Sequence, residues 1–181
     1  MLTYDDFFRM EEIDHEYFPN ENVTSAKETY KWYLADPNSC VYIKEKNEVV
    51  AYINILSLKK SIYNKVKYDE INESNIVVDD LNINNSTYFN YLYFSCIAID
   101  KKHRNIKTLK ILLELAKEHI NKIIKKGYKI IEVMADCSAK EGEKISQRFL
   151  KLEPYNKTSH GSTIHILDGE IFASKVIEKK I

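Results

Sequence analysis

Apolar residues recur at two spacings along this chain, and each change of spacing marks an element. Residues 3–18 read as a helix with Tyr4, Phe7, Phe8 and Ile13 on its apolar side. Thr3 is its cap, and Asp5 and Asp6 complement the helix dipole in the first turn. Pro19 and Asn20 stop it. Ser25-Ala26-Lys27-Glu28 has the form of a capping box, and Ala26, Tyr30, Tyr33 and Leu34 then recur at helical spacing. Asp36-Pro37-Asn38 ends this second helix, because proline restricts the residue before it and offers no N–H to the ladder.

The spacing then changes. Residues 41–44 and 49–58 are rich in β-branched and aromatic side chains around a polar connection at 45–48, a β-hairpin. Residues 59–90 show no clear period; 75–79 read as a short strand and 82–86 as a loop. Residues 91–100, YLYFSCIAID, are apolar or aromatic at both parities, as in a strand buried on both faces. From 109 to 124, Leu109, Leu112, Leu113, Ala116, Ile120, Ile123 and Ile124 form one helical stripe, with Lys110, Glu114, Lys117, Asn121 and Lys125 facing away. Gly127 stands where a left-handed cap is wanted. Residues 129–136 read as a second central strand, 141–152 as a helix and 163–167 as a final strand. Strand, helix, strand at this length implies a right-handed crossover and parallel pairing. The whole chain of 181 residues reads as a single α/β domain, a mixed sheet with helices on both faces.

Composition narrows the function. Hydrophobic residues make up 44% and charged residues 30%, as in a globular protein with a real core. Lys plus Arg and Asp plus Glu are 27 each, so there is no overall pull toward nucleic acid or an anionic membrane. No apolar run approaches the ~20 residues that span a bilayer. The opening MLTYDDFFRM is acidic and unlike a secretory signal, and a cytoplasmic location is expected. Cys40, Cys96 and Cys137 are too few and too scattered for a disulfide framework. His103, His119, His160 and His165 have no ligand spacing with each other or with cysteine, so no metal is expected. Ser162, His165 and Asp168 lie too close along one segment to converge as a triad.

The order of elements, and above all residues 91–152, resembles the GNAT (Gcn5-related N-acetyltransferase) family. In that family a central strand enters a tight turn and a long helix, and the turn, patterned Arg/Gln-x-x-Gly-x-Gly/Ala, binds the diphosphate of acetyl-CoA. The matching stretch here is Ile97-Ala98-Ile99-Asp100-Lys101-Lys102-His103-Arg104-Asn105-Ile106-Lys107-Thr108-Leu109. Arg104 matches the first position; Lys107 and Leu109 replace the small residues. A helix start still offers unpaired N–H groups and positive partial charge. The resemblance therefore implies Arg104, Asn105, Ile106, Lys107 and Thr108 as the phosphate-facing set. It also implies a splayed strand whose Ile97, Ala98 and Ile99 pair with the pantetheine arm as an added strand would. Acetyl-CoA is the implied co-substrate, and a primary amine of a small molecule or peptide the implied acceptor.

At the catalytic positions this chain departs from the family's pattern. A family tyrosine that protonates the leaving sulfur falls near Phe149, which has no proton to give; Tyr155 is the nearest phenol. The family's base is often a Glu near the central strand, which 91–100 lacks. By alternation Tyr91, Tyr93 and Ser95 share one face, so Tyr93 and Ser95 are candidates, with Asp136 and Ser138 at the end of the next strand. Asp69, Glu70, Glu73, Asp79 and Asp80 form an acidic segment suited to a cationic amine. Two other readings stand beside the enzyme. One is a degenerate domain binding an acyl-CoA, a peptide or a partner without turnover; the other is transfer of a longer acyl or an aminoacyl group. The sequence leaves the oligomeric state open and is compatible with a homodimer.

Overall fold

The computed structural model describes residues 1–18, 23–83 and 85–177. Pro19 and Asn20, expected to stop the first helix, lie outside them. Helix α1 (Tyr4–Asp14) begins with a capping box in which Thr3 Oγ1 accepts the Asp6 N–H and Asp6 accepts the Thr3 N–H. Helix α2 (Ala26–Ala35) begins at Ser25, but the serine side chain makes no capping bond. Glu11 of α1 does that work instead, accepting the Ala26 N–H at 2.7 Å. Asp36 ends the helix and caps a 3-10 turn at Pro37–Ser39.

Strands β1 (Cys40–Glu45) and β2 (Glu48–Ser57) form the expected hairpin. Its turn is Lys46 and Asn47, both at positive φ, a geometry that matches the twist of the strands it joins. Helix α3 (Lys60–Lys67) was not legible in the sequence: it has eight residues and buries only Tyr63 and Val66. The short strand expected at 75–79 is absent. Two 3-10 turns, Glu73–Asn75 and Val78–Asp80, take its place. Asn72 accepts the Ser74 N–H and Asp80 accepts the Val77 N–H, so side chains claim the amides that a ladder would use.

Strand β3 (Tyr91–Ile99) leads into helix α4 (Ile106–Ile124), strand β4 (Glu132–Cys137) and helix α5 (Lys140–Arg148). Gly127 closes α4 at φ +94°. Strand β5 (Glu153–Lys157), also unexpected, is an edge strand with an irregularity between Pro154 and Asn156, where proline is tolerated. Strand β6 (Thr163–Asp168), the short helix α6 (Gly169–Phe172) and a π-helical turn at Ala173–Ile177 complete the described fold. The sheet order is β1-β2-β3-β4-β6-β5, antiparallel except for the β3–β4 pair that α4 crosses over. Leu112, Leu113, Ala116, Ile120 and Ile123 of α4 pack with Leu92, Phe94, Val133 and Ala135 on one face. Phe7, Met10 and Ile13 of α1, with Tyr33 of α2, cover the other face over Val49, Tyr52 and Ala98. Among the described residues no helix is long and apolar enough to cross a membrane.

One glycine is demanded by close approach. A Cβ on Gly169 would stand 2.1 Å from the carbonyl oxygen and 2.4 Å from the carbonyl carbon of Ile130. Both atoms are backbone and cannot swing aside. Gly169→Ala should therefore destabilise the fold by about 2–3 kcal/mol, a fall in Tm of roughly 4–12 °C for a chain of this size. Calorimetry of the two proteins checks it.

Candidate active site

The sheet comes apart at one place. β3 and β4 are in register from Tyr91 beside Glu132 to Phe94 beside Ala135. Past that point β3 stays with β2 as far as Ile99, and β4 stays with β6 as far as Cys137. The strands diverge, and their facing edges have no ladder between them.

A bulge sits at the fork. Cys96 pairs with Asn54 and Phe94 with Ile55, so Ser95 has no partner residue on β2. An extra residue reverses the alternation of a strand. Tyr93 lies on the α1–α3 side before the bulge, and Cys96 and Ala98 lie on that same side after it. Downstream, the Asp100 N–H donates to the Val50 carbonyl at 2.9 Å. In an antiparallel ladder this phase makes Ala98 with Tyr52 a bonded pair and turns the backbone groups of Ile97 and Ile99 the other way, into the fork. Of the three residues expected to meet a pantetheine arm, Ile97 and Ile99 therefore have the free edge; Ala98 spends its backbone on β2. The Ile99 carbonyl accepts a bond from the Tyr17 hydroxyl at 2.5 Å.

At its far end β3 enters the turn before α4. Asp100, 4% exposed, anchors this turn by accepting from Arg9, from the Lys102 N–H at 2.8 Å and from His103 Nδ1 at 3.0 Å. Burial alone would raise its pKa; the bonds from His103 and Lys102 and the Arg9 charge overcome that and hold it below the usual range. Asp100 is thus a turn anchor. Asn105 caps α4 through Thr108, whose N–H it accepts at 2.9 Å. The amides of Ile106 and Lys107 fall in the first turn, with no intrahelical acceptor, at an exposed helix start. Arg104 does not point freely outward: its guanidinium lies 3.9 Å from the Tyr17 ring centre and 3.4 Å from a Glu16 oxygen.

On the α1–α2 side the fork opens into a cavity of about 110 Å³ whose walls include Asp14, Glu73, Tyr93, Ser95, Cys96 and Asp136. Three of the four residues singled out from the sequence, Tyr93, Ser95 and Asp136, come together here, and Ser138 joins them. Tyr155 does not. It stands on edge strand β5, 47% exposed, with its ring beside Tyr68 and under Lys67, because Pro154 carries the chain away from the end of α5. Phe149 is packed into the apolar cluster on the α4 face.

The cavity is chemically unsettled. Ser95 Oγ and Asp136 Oδ1 are buried without a hydrogen-bond partner among the described residues. The Trp32 Nε1 and Tyr63 hydroxyl are unpaired elsewhere in the core, so what singles out this cavity is that two such atoms share it. Glu73 accepts a bond from Thr24 at 3.2 Å. Burial, then the charges of Asp14 and Asp136, push its pKa up to about 8 against the Thr24 bond and the nearby Ser95 hydroxyl. Burial also lifts Asp14 to about 6, even though Tyr52 and Cys96 donate to it. The Cys96 thiol is driven well above its ordinary value by burial and by Asp14 and Glu73, so it is no thiolate nucleophile. His160 Nε2 stands 3.4 Å from Asp136 and Nδ1 3.6 Å from Asp69. Among the described residues no group of His, Cys, Asp or Glu is arranged to hold a metal ion.

Asp14, Cys96 and His160 were missed as site residues, and Glu73 was one of five loop carboxylates. Strict alternation hides Cys96, because it places 96 opposite 95. Nothing local marks Asp14, which arrives from the end of α1.

No family model matches the sequence, and no curated protein matches it. Solved structures do. GphF, a GNAT-like decarboxylase in complex with isobutyryl-CoA, superposes with a TM-score of 0.65 at 10% identity over 92% of this chain and 96% of its own. The loading GNATL domain of CurA from Lyngbya majuscula gives 0.65 at 10% identity over 93% and 96%. An N-acetyltransferase from Staphylococcus aureus Mu50 gives 0.56 at 15% identity over 92% and 94%.

Proposed function

Since the chain has the GNAT fold, we propose that it is an acyl-CoA-dependent N-acyltransferase that moves an acetyl group from acetyl-CoA to a primary amine of a small molecule or peptide. One observation supports this above the rest: the fork between β3 and β4 joins an exposed helix start at one end to a carboxylate-lined cavity at the other. The helix start suits a diphosphate, through the amides of Ile106 and Lys107 and the Lys107 charge. The free edges of Ile97 and Ile99 suit an amide-bearing arm. Bound acetyl-CoA would supply an activated acyl group with a thiolate to leave.

The chain's own residues would do the proton work. The acceptor reacts as the free amine, its ammonium proton having gone to solvent. Glu73 takes the next proton as the C–N bond forms and returns it to sulfur as the C–S bond breaks. A carboxyl at about 8 lies close to the ordinary thiol value of about 8.5, so one group serves as base and then acid. The Ser95 hydroxyl, buried without a hydrogen-bond partner among the described residues, and the Tyr93 hydroxyl face the developing oxyanion. Asp14 and Asp136 favour a cationic acceptor. The same charges disfavour an acyl group carrying its own carboxylate, which argues against a decarboxylase reaction like that named for GphF.

A second reading has its own support: Lys107 and Leu109 fill the family's small positions and α5 ends without the usual tyrosine, as in a domain that binds without turnover. Thiol release from acetyl-CoA with a panel of primary amines separates the two. Continuous release above the hydrolysis blank is expected. Binding of acetyl-CoA without release for any amine would favour the binding domain, and no binding at all would overturn both.

A further inference from the structure

The segment that follows α1 reaches across to β3 and the turn, and it contacts both through consecutive residues. Glu16 Oε2 accepts the Lys101 backbone N–H at 2.9 Å and lies 3.4 Å from the Arg104 guanidinium. Tyr17 places its ring under that same guanidinium and donates its hydroxyl to the Ile99 carbonyl. Glu16 thus offers an anion to an amide and a cation of the donor turn. Tyr17 offers a donor to the free edge of β3. These are the two kinds of contact, anionic oxygen at the turn and N–H donor along the strand, that an acyl-CoA would make there.

We propose that Glu16 and Tyr17 form an internal strap that mimics the donor and must be displaced when acyl-CoA enters. This rests on the donor site proposed above and adds a control to it. Among the described residues the Glu16 carboxylate is hydrogen-bonded only to the donor turn, and its partners Lys101 and Arg104 lie 85 and 88 residues away in sequence. The pair is only half-buried, at 27% for Glu16 and 42% for Arg104, so an incoming anion can reach it. A diphosphate brings more charge than one carboxylate and can win the Arg104 fork, because guanidinium binds phosphate oxygens in the same geometry as carboxylate. The strap also continues into the acceptor side: Asp14 just before it, and Phe18 just after Tyr17, both line the cavity. Release of Glu16 by the donor would therefore loosen two acceptor-cavity walls at once, coupling donor arrival to acceptor entry.

Isothermal titration with CoA tests the strap in the wild type, Glu16→Gln and Tyr17→Phe. Glu16→Gln keeps the size and removes the competing charge; it should bind CoA about 5–20-fold more tightly. Tyr17→Phe keeps the ring under Arg104 and loses only the hydroxyl; it should tighten CoA two- to five-fold and leave adenosine 3′,5′-bisphosphate, which has no pantetheine, unchanged. If both variants bind CoA no more tightly than the wild type, or more weakly, Glu16 and Tyr17 are ordinary struts and the strap is refuted. If none of the three proteins binds CoA, the donor site itself falls and the strap with it, a result distinct from binding without gain.

Discussion

Glu73→Gln should lower kcat/KM for amine acylation by about 10²–10³-fold, the usual contribution of a positioned general base. Glutamine keeps the Thr24 contact and the volume, so loss of shape is not the cause. The pH profile carries the stronger signature. With the free carboxyl at about 8, wild-type kcat/KM expressed per free amine should rise with pH and reach half its plateau near 8, because the base works only when ionised. In the variant that limb should vanish, leaving only the rise in total rate set by the acceptor's own ammonium ionisation. Stability should move the other way. Glu73 is raised above its ordinary 4.5, so the folded state holds a proton that the unfolded chain gives up, and stability falls as pH climbs from about 4.5 to 8. Removing the group relieves this, and the variant should melt higher than the wild type at pH 8. A variant that loses activity and also melts lower would point to a structural carboxylate instead.

Lys107→Glu should weaken acetyl-CoA binding by roughly 30–150-fold, read as loss of the thermal shift that saturating acetyl-CoA gives the wild type. Two effects of about 1–1.5 kcal/mol each combine: a charge-assisted contact is lost, and a like charge is set beside the diphosphate. Misfolding is not a rival explanation. An acidic residue in the first turn of a helix complements the dipole, so α4 should be as stable in the variant or slightly more so. Lys107 is exposed at the second position of α4. An unchanged shift would remove the diphosphate from this helix start.

Elements with a strong period were plain before the structure: the hairpin, β3, α4 and the parallel β3–β4 pair follow from where Val, Ile, Leu and Tyr recur. What could not be read shares a cause. α3 has too few apolar positions to show a period, and β5 carries a proline on an edge. The turns around Glu73 form because Asn72 and Asp80 outbid the sheet for local amides. The site divides the same way. Tyr93, Ser95 and Asp136 lie on periodic elements and could be named as candidates; they meet in the cavity wall. Asp14 and His160 reach the cavity from a helix end and a loop, by long-range folding that leaves no local trace. Tyr155 is the nearest phenol to Phe149 in sequence but not in space, because α5 ends at Arg148, Lys151 takes positive φ and the chain leaves on edge strand β5.

The extra residue at Ser95 has a consequence for how β3 can change. Ahead of it, odd-numbered side chains look toward α1–α3; behind it, even-numbered ones do. Deleting Ser95 would therefore not slip the strand: Phe94 and Cys96 already face consecutive residues of β2, Ile55 and Asn54, so the bulge alone would go. Cys96 and Ala98 would stay toward α1 and Ile97 and Ile99 beneath α4, while the fork would straighten and the cavity lose a hydroxyl. A one-codon loss at Ser95 would strike the site and spare the core, whereas loss of a paired residue further on, such as Ile97, would turn every later side chain of the strand to the wrong face.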